Sequence, residues 1–321
     1  MKFRLGYVAM TMNLEDCSPS GTVTFTTLEK LNSEEAKLYR LRKVASKNLL
    51  NTLRILKYNK ALEIPVYRLT SKLIPLATHP SLQPWSYTED FSDSLREIGD
   101  FIKQNNFRIS SHPDHFTLIN SPLPKVMEDS LRDLDYHVKL YEAMGLDDYK
   151  YKLVLHVGGV YGSKQDSIQR FCENFIKLPD RMRKRLIIEN DDRSYNTYEV
   201  LELCQKLGTP MVLDVHHHNC LCREGNLECI LPFIFDTWRG EQFPPKIHFS
   251  SPRNCKDFRS HADLIDYKEF TEFLKTAAKV GRDVDIMLEA KSKDDALLKL
   301  SDELAATVGI KRICKGEFEL E

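Results

Sequence analysis

Short apolar runs alternate along the chain with longer segments in which apolar residues recur every three or four positions. The short runs cover residues 3–10, 64–69, 107–111, 152–157, 185–189, 210–215, 246–249 and 284–288. Most of them are continuously apolar and rich in Val, Ile and Leu, which is typical of strands in a parallel sheet whose two faces are both covered. The pattern therefore predicts eight buried strands.

The segments between these runs have the period of amphipathic helices. The longest begins after Asn32, which we expect to cap it, and it places Leu38, Leu41, Ala45, Leu49, Leu53 and Leu56 on one stripe. A strand followed by a helix, repeated about eight times, predicts right-handed crossovers and a closed barrel. The alternative is a doubly wound open sheet, but such sheets usually carry a glycine-rich turn after the first strand, and this sequence has none there.

We therefore predict an α/β fold with a single (β/α)8 TIM barrel over residues 1–309 and its active site at the carboxyl ends of the strands. The remaining segment, 310–321, is expected to be a surface tail.

Composition limits the function classes. Of the 321 residues 42% are hydrophobic and 29% are charged, and the formal net charge is -1, so any surface that binds phosphate must be local. The eight cysteines include no C-x-x-C pair, which favours reduced thiols in a cytosolic protein. Neither a signal-peptide pattern nor a run of about 18 apolar residues is present, so we expect a cytoplasmic protein without a membrane span.

Six consecutive predicted strands end in, or just before, a residue type that binds metals. These residues are His112, His156, Glu189, Asp214, His248 and Glu289. In this fold the carboxyl ends of all strands face one mouth. Each residue taken alone would more often be an ordinary hydrogen-bonded polar group. Three carboxylates that converge in a buried place require cationic compensation, however, so the joint pattern indicates metal ions.

The ligand types narrow the choice of metal. Carboxylate oxygen and imidazole without cysteine suit zinc, manganese or a similar ion rather than an iron–sulfur centre. Six to eight ligands would serve two or three ions. Two ions about 3.5–4 Å apart can activate water and neutralise a leaving oxygen in phosphodiester cleavage.

The run His216, His217 and His218 leaves two alternatives open. One is a structural zinc site with Cys220 and Cys222, although such sites usually have C-x-x-C spacing. The other is a further ligand at the mouth. Strand alternation favours His216 for that role, whereas a chain that already turns there would favour His217, so the pattern does not separate them.

With these residues in view, the chain resembles the UV damage endonuclease family, which is related to apurinic endonuclease IV and to xylose-isomerase-like TIM barrels. The resemblance covers nearly the whole chain. It rests, in order, on Leu5-Gly6-Tyr7, Ser111-His112-Pro113, His156-Val157-Gly158-Gly159, Ile188-Glu189-Asn190-Asp191, Asp214-Val215-His216-His217-His218, Lys246-Ile247-His248-Phe249-Ser250, His261 and Met287-Leu288-Glu289-Ala290-Lys291.

The resemblance implies a cluster of two or three divalent ions, Mn²⁺ in the family, with Zn²⁺ or Mg²⁺ as alternatives. It implies that His112, His156 and Glu189 hold one ion, that Glu189, Asp214, His248 and Glu289 hold a second, and that His217 and His261 help to hold a third. It thereby favours His217 over His216. It also implies catalytic roles for Glu189, for Lys246 with or without a chemical modification, and for His79, which would face the scissile phosphate.

The resemblance further implies residues that contact DNA. Tyr7 would stack near the lesion with Asn13 nearby, whereas without the resemblance Tyr7 would be a core aromatic of the barrel. Family members carry a probing Gln-Tyr pair where this chain has His115 and Phe116. Phe116 can still stack between bases, but His115 departs from the pattern and leaves the lesion preference open.

Basic residues in or near the loops at the mouth could meet backbone phosphates. They are Arg68, Lys72, Lys164, Arg193, Arg253, Lys256, Arg259 and Lys291. Because the net charge is close to zero, such a surface would be confined to the mouth.

The function implied by the resemblance is DNA repair. The enzyme would nick the backbone immediately 5′ to cyclobutane pyrimidine dimers, other photoproducts and abasic sites, through a metal-bound hydroxide. Its partner would be damaged double-stranded DNA, and we expect a monomer that requires no protein partner. The alternatives are a metal-dependent sugar isomerase on the same barrel and a non-catalytic lesion sensor. An isomerase should show little salt-dependent affinity for DNA.

Overall fold

A computed structural model describes residues 1–82, 85–222 and 225–321. Its strands are β1 (Lys2–Val8), β2 (Val66–Leu69), β3 (Arg108–Ser111), β4 (Lys152–His156), β5 (Leu186–Glu189), β6 (Met211–Asp214), β7 (Lys246–Phe249), β8 (Val284–Leu288), β9 (Ile310–Cys314) and β10 (Glu317–Leu320). Its α-helices are α1 (Phe25–Glu29), α2 (Glu34–Ala61), α3 (Tyr87–Asp90), α4 (Ser92–Gln104), α5 (Pro124–Ala143), α6 (Lys164–Lys177), α7 (Asp180–Arg183), α8 (Thr197–Leu207), α9 (Val215–Leu221), α10 (Leu227–Asp236), α11 (Tyr267–Ala278) and α12 (Lys293–Ala305).

The first eight strands form a closed parallel barrel. They run in the order β2-β3-β4-β5-β6-β7-β8-β1, and β1 pairs again with β2. Helices cover the outside between consecutive strands. All eight predicted strands are present, with bounds that differ from the predicted ones by at most two residues. The predicted TIM barrel is therefore confirmed.

Gly6 lies where β1 and β2 close the barrel, in register with Val66. A Cβ atom added to Gly6 would come within 2.4 Å of the Val66 carbonyl oxygen. Since that distance is far below van der Waals contact, only glycine allows the two strand backbones to approach so closely.

Side-chain alternation divides the buried residues into two sets. Outward residues such as Leu155 and Ile188 belong to the large core beneath the helices. Inward residues form a separate small cluster that consists of Val154, Ile187, Val212 and Trp238. Two residues further along the same strands, and on the same face, lie His156, Glu189 and Asp214. The alternation therefore directs these polar residues into the mouth, the carboxyl-terminal end of the barrel interior.

Charged residues close the opposite end of the barrel. Asp285 of β8 is fully buried, and its two oxygens each lie 2.6 Å from a nitrogen of Arg4. Arg108 also donates to Asp285, and its guanidinium lies 5.2 Å from the ring centroid of Trp238. We call Arg4, Arg108 and Asp285 the floor triad.

The amino-terminal cap of α2 differs by one residue from the prediction. Ser33, not Asn32, caps the helix, and its hydroxyl accepts a hydrogen bond from the Ala36 N–H at 3.1 Å. Both residue types are good caps, so the composition alone did not separate the neighbours. Leu41 and Leu49 of the predicted stripe are buried, as expected.

The segment 310–321 is not a surface tail. It forms a hairpin of β9 and β10, and β10 pairs antiparallel with β1 from Lys2 to Arg4. Phe318 is fully buried, and its ring stacks on Phe3 with centroids 5.2 Å apart. Burial of this aromatic pair and the added strand pairing explain why the segment is fixed to the barrel.

None of the eight cysteines, all of which lie in the described ranges, forms a disulfide, in agreement with the absence of a disulfide-like spacing. Cys17, Cys172 and Cys204 are buried in the core. Among the helices in the described ranges, none has the length and apolar character needed to cross a membrane.

Candidate metal centre

Glu189 is the central residue of the mouth. It ends β5, and its side chain is 2% exposed. Its Oε2 lies 3.2 Å from His112 Nε2 and 3.5 Å from His156 Nε2, whereas its Oε1 lies 2.7 Å from His248 Nδ1. One carboxylate thus presents its two oxygens to two different groups of side chains, as a residue that bridges two metal ions must do.

Two groups of side chains could each hold a metal ion. The first contains His112, His156 and Glu189, and the second contains Glu189, Asp214, His248 and Glu289. Within each group, one ligand atom from every residue lies within 4.8 Å of the others. The groups coincide with the first two ligand sets that the family resemblance implies, and they share Glu189.

Within the second group, Asp214 is the carboxylate with an unsatisfied oxygen in the described ranges. Arg68 is the one arginine or lysine in the described ranges that contacts the carboxylates of this group, with its Nη1 2.5 Å from Glu289 Oε1. Asp214 Oδ2 is buried and has no hydrogen-bond partner within those ranges. An unpartnered carboxylate oxygen in such a place is costly. The orphaned oxygen and the oxygen–imidazole donor set both fit a divalent cation.

The pKa values of the three carboxylates differ: although burial acts in the other direction, His248 and His156 hold the pKa of Glu189 well below its usual range, and Arg68 and His248 lower that of Glu289. Burial and the nearby Glu189 and Glu289 raise the pKa of Asp214 to about 8. Burial alone would lower the pKa of His217, but Asp214 and Glu189 outweigh it and raise that pKa to about 9. At neutral pH the metal-free cluster therefore retains protons that a divalent cation would displace.

His217 and His261 lie beside these groups. Their Nδ1 atoms lie 2.9 Å from the Asn190 carbonyl oxygen and 2.7 Å from the Glu289 carbonyl oxygen, respectively. If Nδ1–H donates to these oxygens, Nε2 is left to bind an ion, which is the usual arrangement of metal-binding histidines. Their ring centroids are 6.4 Å apart. A third ion between them stays a prediction.

His216 is oriented differently from His217. It is buried, its Nε2 lies 3.2 Å from the Arg259 carbonyl oxygen, and its ring stacks on Phe258 with centroids 5.5 Å apart. The His216 ring therefore contacts the loop that contains Phe258 and Arg259. Of the two candidates left open by the sequence pattern, the geometry thus favours His217.

For a structural zinc site with Cys220 and Cys222, the described ranges show a contact between Cys220 Sγ and His216 Nε2 at 4.0 Å. Neither of the two possible metal-binding groups there contains a cysteine. His218 is turned elsewhere, since its Nδ1 lies 2.7 Å from Thr197 Oγ1.

Lys246 lies in the barrel interior between the mouth and the floor triad. It is buried at the start of β7, and its Nζ donates to Ser110 Oγ. Burial, together with repulsion from Arg108 and Arg68, lowers the pKa of Lys246 well below its ordinary value. The neutral amine favoured in this way is the form that reacts with electrophiles, which is compatible with the implied modification.

Asn190 connects the ends of β5 and β6. Its Nδ2 donates to the Asp214 carbonyl oxygen at 3.0 Å, and its Oδ1 accepts from the Asp214 N–H at 2.9 Å. The neighbouring Asp191 instead holds its own loop, because its Oδ2 accepts from the Tyr195 N–H at 3.0 Å. Asn190 therefore fixes the backbone of the Asp214 ligand, and Asp191 shapes the loop beside it.

His115 and Phe116 are exposed at the mouth, on the loop after β3. The His115 side chain is 92% exposed, and Phe116 is 43% exposed. The loop is fixed by buried Asp133 of α5, whose Oδ2 accepts from the Asp114 N–H at 3.1 Å and from Thr117 Oγ1 at 2.5 Å. Both side chains are therefore available to a ligand and presented by a rigid loop.

His79 lies outside the two metal-binding groups. It lines a cavity of about 550 Å³ that Phe116 also lines. Its ring stacks on Phe25, with centroids 4.0 Å apart. This cavity joins the loops that follow β2 and β3, so His79 is on the mouth side of the barrel. Its role toward a phosphate stays a prediction.

Tyr7 is not positioned as the expected stacking residue. It is fully buried, its hydroxyl donates to Asn59 Oδ1 of α2 at 2.6 Å, and its ring packs edge-on against Tyr67. Strand alternation directs it outward toward the helices, while its neighbour Gly6 faces the interior. In this conformation Tyr7 is the core aromatic that the sequence pattern allowed.

Asn13 is exposed, but its amide is already engaged. Its Nδ2 donates to Asp294 Oδ2 at 2.9 Å and to Asp295 Oδ1 at 2.6 Å. Asp294 also accepts from the Met12 N–H at 2.6 Å and from the Tyr58 hydroxyl at 2.9 Å. Sequence reasoning missed Asp294 as the residue that fixes the loop after β1, since its only local signal was an acidic residue in the first turn of α12.

Comparison with known proteins places the chain in a family. The model of the UV-endonuclease UvdE family matches residues 3–321. The UV DNA damage endonuclease of Bacillus cereus strain B4264 is 47% identical over 315 residues, which cover 98% of each chain. That of Bacillus thuringiensis subsp. konkukian is 46% identical over 321 residues and covers 99% of this chain and 100% of its own.

The chain belongs to the UV-endonuclease UvdE family. The crystal structure of SacUVDE superposes on this UvdE-family chain with a TM-score of 0.84 at 35% identity, over 94% of this chain and 98% of the other. The Escherichia coli 3-keto-D-glucoside 4-epimerase YcjR matches with a TM-score of 0.51 at 11% identity, over 94% of this chain and 99% of its own. That second likeness concerns the barrel fold alone.

Proposed function

We propose that the protein is a metal-dependent DNA-repair endonuclease that nicks the backbone immediately 5′ to cyclobutane pyrimidine dimers, other photoproducts and abasic sites. The observation that carries the proposal is the bridging geometry of Glu189, whose two oxygens face two groups of possible metal ligands. Membership of the UvdE family supports UV-damaged DNA as the substrate. We further propose Mn²⁺ as the ion, and a monomeric, cytoplasmic protein.

Each part of the mouth has a role in this proposal. His112, His156, Glu189, Asp214, His248 and Glu289 hold two ions, and His217 and His261 contribute to a third. Divalent ions held there would activate water and neutralise charge on the phosphate and on the departing 3′ oxygen. Asn190 keeps the Asp214 backbone in place.

DNA would be held by side chains around the ligands. Phe116 and His115 are exposed on a fixed loop and can enter the space beside a distorted base pair. His79 would contact the scissile phosphate. Lys164 is already paired with Glu199 at 2.8 Å, and Arg68 with Glu289 at 2.5 Å, so these two are less free to meet phosphates than the sequence suggested.

A single assay tests the proposal. Purified protein is incubated with Mn²⁺ and an end-labelled duplex that carries one cyclobutane dimer, and parallel duplexes carry an abasic site or no lesion. We expect one cut, directly 5′ to the lesion, which chelation of the metal abolishes and which the undamaged duplex lacks. Binding without cutting would indicate a lesion sensor, and neither binding nor cutting would contradict the proposal altogether.

A further inference from the structure

Tyr161 has an unfavourable backbone conformation in the loop after β4. Its φ is +48°, in the left-handed region that residues with a side chain rarely adopt. The glycines at positions 158 and 162 also have positive φ, of +111° and +85°, but glycine adopts such values without steric cost. A tyrosine at 161 is therefore a choice that the backbone does not favour.

Several hydrogen bonds hold this loop in place. The Gly159 carbonyl oxygen accepts from Asn120 Nδ2 at 2.7 Å and from the Tyr195 hydroxyl at 3.0 Å. Arg170 Nε in turn donates to the Asn120 carbonyl oxygen at 3.0 Å. Strained residues that are overdetermined by their surroundings concentrate at functional sites, so this loop is a candidate for one.

The Tyr161 ring is not part of the core that these bonds stabilise. It is 38% exposed, and the Arg170 guanidinium lies 5.8 Å from its centroid. A Cβ atom added to Gly159 would come within 2.9 Å of the ring, so only glycine at 159 allows the ring to lie there. The loop thus keeps an aromatic ring at the surface in a fixed orientation.

The loop also lies next to the loop that carries Phe116. Strands β3 and β4 are neighbours in the barrel, and the first metal-binding group draws His112 and His156 from their ends, with ring centroids 5.1 Å apart. Asn120, which follows Phe116 in the first loop, bonds to Gly159 in the second. The two exposed aromatics are therefore carried by neighbouring, hydrogen-bonded loops around one half of the metal centre.

We propose that Tyr161 contacts the DNA directly, as a second stacking residue whose ring packs on an unstacked base beside the cut. This inference rests on the proposed function. A base that has left the helical stack presents an apolar face, and an aromatic ring held at the surface is a sequence-tolerant partner for it. The strain at position 161 is then explained by presentation of the ring.

The test replaces the ring without adding backbone strain. Tyr161→Gly suits a positive φ and deletes the ring, and Tyr161→Phe keeps the ring and deletes the hydroxyl. Tyr149→Gly is the matched control, because Tyr149 is also 38% exposed but precedes β4 at the opposite end of the barrel. Fluorescence anisotropy gives the Kd for a duplex with one cyclobutane dimer at several salt concentrations, and nicking assays give kcat and KM.

We expect Tyr161→Gly to raise Kd and KM roughly tenfold, as loss of one stacking contact does, with kcat nearly unchanged. The dependence of log Kd on log salt should keep its slope, because no phosphate contact is lost. Tyr161→Phe and Tyr149→Gly should bind like the wild type. The thermal midpoint and the bound metal should be unchanged in Tyr161→Gly.

Two results would overturn this role. One is a Kd for Tyr161→Gly equal to that of the wild type. The other is weaker binding accompanied by a lower thermal midpoint or by lost metal, which would assign the ring a structural role. If the wild-type protein fails to nick, the proposed function is contradicted instead. If the wild type nicks and Tyr161→Gly has the same KM, only the role of Tyr161 is contradicted.

Discussion

The two ends of the barrel interior treat buried charge differently. At the floor triad, Asp285 contacts both Arg4 and Arg108. Burial alone would raise the pKa of Asp285, but Arg108 and Arg4 outweigh it and hold that pKa below its ordinary value. The negative charge at this end is thus satisfied by side chains of the protein itself.

At the mouth, the charges are not satisfied in this way. Glu189, Asp214 and Glu289 converge, and Arg68 is the one arginine or lysine in the described ranges that contacts any of them. Burial and neighbouring carboxylates raise the pKa of Asp214 to about 8. The two ends thus differ: the floor carboxylate is paired with two arginines, whereas Asp214 at the mouth has an oxygen without a hydrogen-bond partner in the described ranges, as a candidate ligand of a cation would.

The largest effect should come from Glu189→Gln at the mouth. Even a residue that only hydrogen-bonds to a metal ligand typically contributes about 10- to 100-fold to activity or metal affinity. Glu189 is the ligand that both proposed ions share, so its loss should have a larger effect and abolish nicking of UV-irradiated plasmid. Damaged DNA should still be bound in part, because Phe116 and the basic loops are untouched. Plasmid relaxation and gel-shift assays measure the two properties.

The matched control for that variant is Glu241→Gln at the opposite end. Glu241 lies 2.8 Å from Lys152, away from the mouth, and its substitution should leave nicking at the wild-type level. Normal nicking by Glu189→Gln, or an equal loss of nicking in Glu189→Gln and Glu241→Gln, would contradict the view that the two ends of the barrel differ in function.

Asp285→Ala should have the next largest effect, and on stability rather than on chemistry. It leaves buried Arg108 without its carboxylate, and breaking a buried ion pair from one side costs about 3–5 kcal/mol of the free energy of unfolding. Urea denaturation measures this loss. Below its melting temperature the variant should bind metal and nick like the wild type, and a loss of metal binding would show that the two ends are not independent.

The mouth should respond to pH through Asp214 when no metal is bound. Because the folded-state pKa, about 8, lies above the reference value of 3.8, the folded state binds more protons than the unfolded one between these values. The contribution of Asp214 to the free energy of unfolding therefore falls as the pH rises from about 4 to 8. Asp214→Asn cannot ionise, so the metal-free variant should gain stability relative to metal-free wild type over this range.

With saturating Mn²⁺ the wild type should become more stable than Asp214→Asn, because the cation favours the ionised Asp214 carboxylate. Urea titrations at several pH values, with and without Mn²⁺, provide the comparison. A stability difference that does not change with pH would mean that Asp214 is already ionised and compensated without metal.

The smallest effect should come from Arg4→Met at the floor triad. Arg4 is partly exposed, and its loss leaves the contact between Arg108 and Asp285 in place. A hydrogen bond to a charged group contributes about 1.5–3 kcal/mol, so the loss should be smaller than for Asp285→Ala. Equal losses in the two variants would show that Arg4, and not Arg108, holds the carboxylate.

The barrel and the location of the candidate metal centre could be predicted from the sequence because both depend on local patterns. Apolar runs mark the strands, and the residues that end the strands must meet at one end of a parallel barrel. His112, Glu189 and Glu289 are examples, since each could be assigned to the mouth without knowledge of any contact.

Two expectations that differ from the structure had local signals in the sequence. Phe3, Leu5 and Tyr7 alternate with Arg4 and Gly6, so if Arg4 faces the interior Tyr7 must face the helices. The segment 310–321 contains Lys315 and Gly316 between two short runs with partial alternation, which is a hairpin pattern. For Tyr7, strand alternation and the family resemblance point to different roles.

Other features had no local signal. Asp133 and Asp294 fix loops through partners that are distant in the sequence, and no pattern within one chain pairs them. The same holds for the choice between His216 and His217, which depends on how the chain turns after β6. Such contacts are set by tertiary packing and can be read only from coordinates.

The most direct test of the central claim is a titration of metal-free protein with Mn²⁺, followed by calorimetry and by the thermal midpoint. We expect two or three ions to bind per chain and the midpoint to rise, since about 100-fold excess of ligand over Kd stabilises by about 2.7 kcal/mol per site. Glu189→Gln should lose this response, and Glu241→Gln should keep it. The titration would extend to Mn²⁺ at about 100 times a micromolar Kd. Binding of less than one ion per chain, together with an unchanged thermal midpoint, would contradict the claim that divalent cations bind at the mouth.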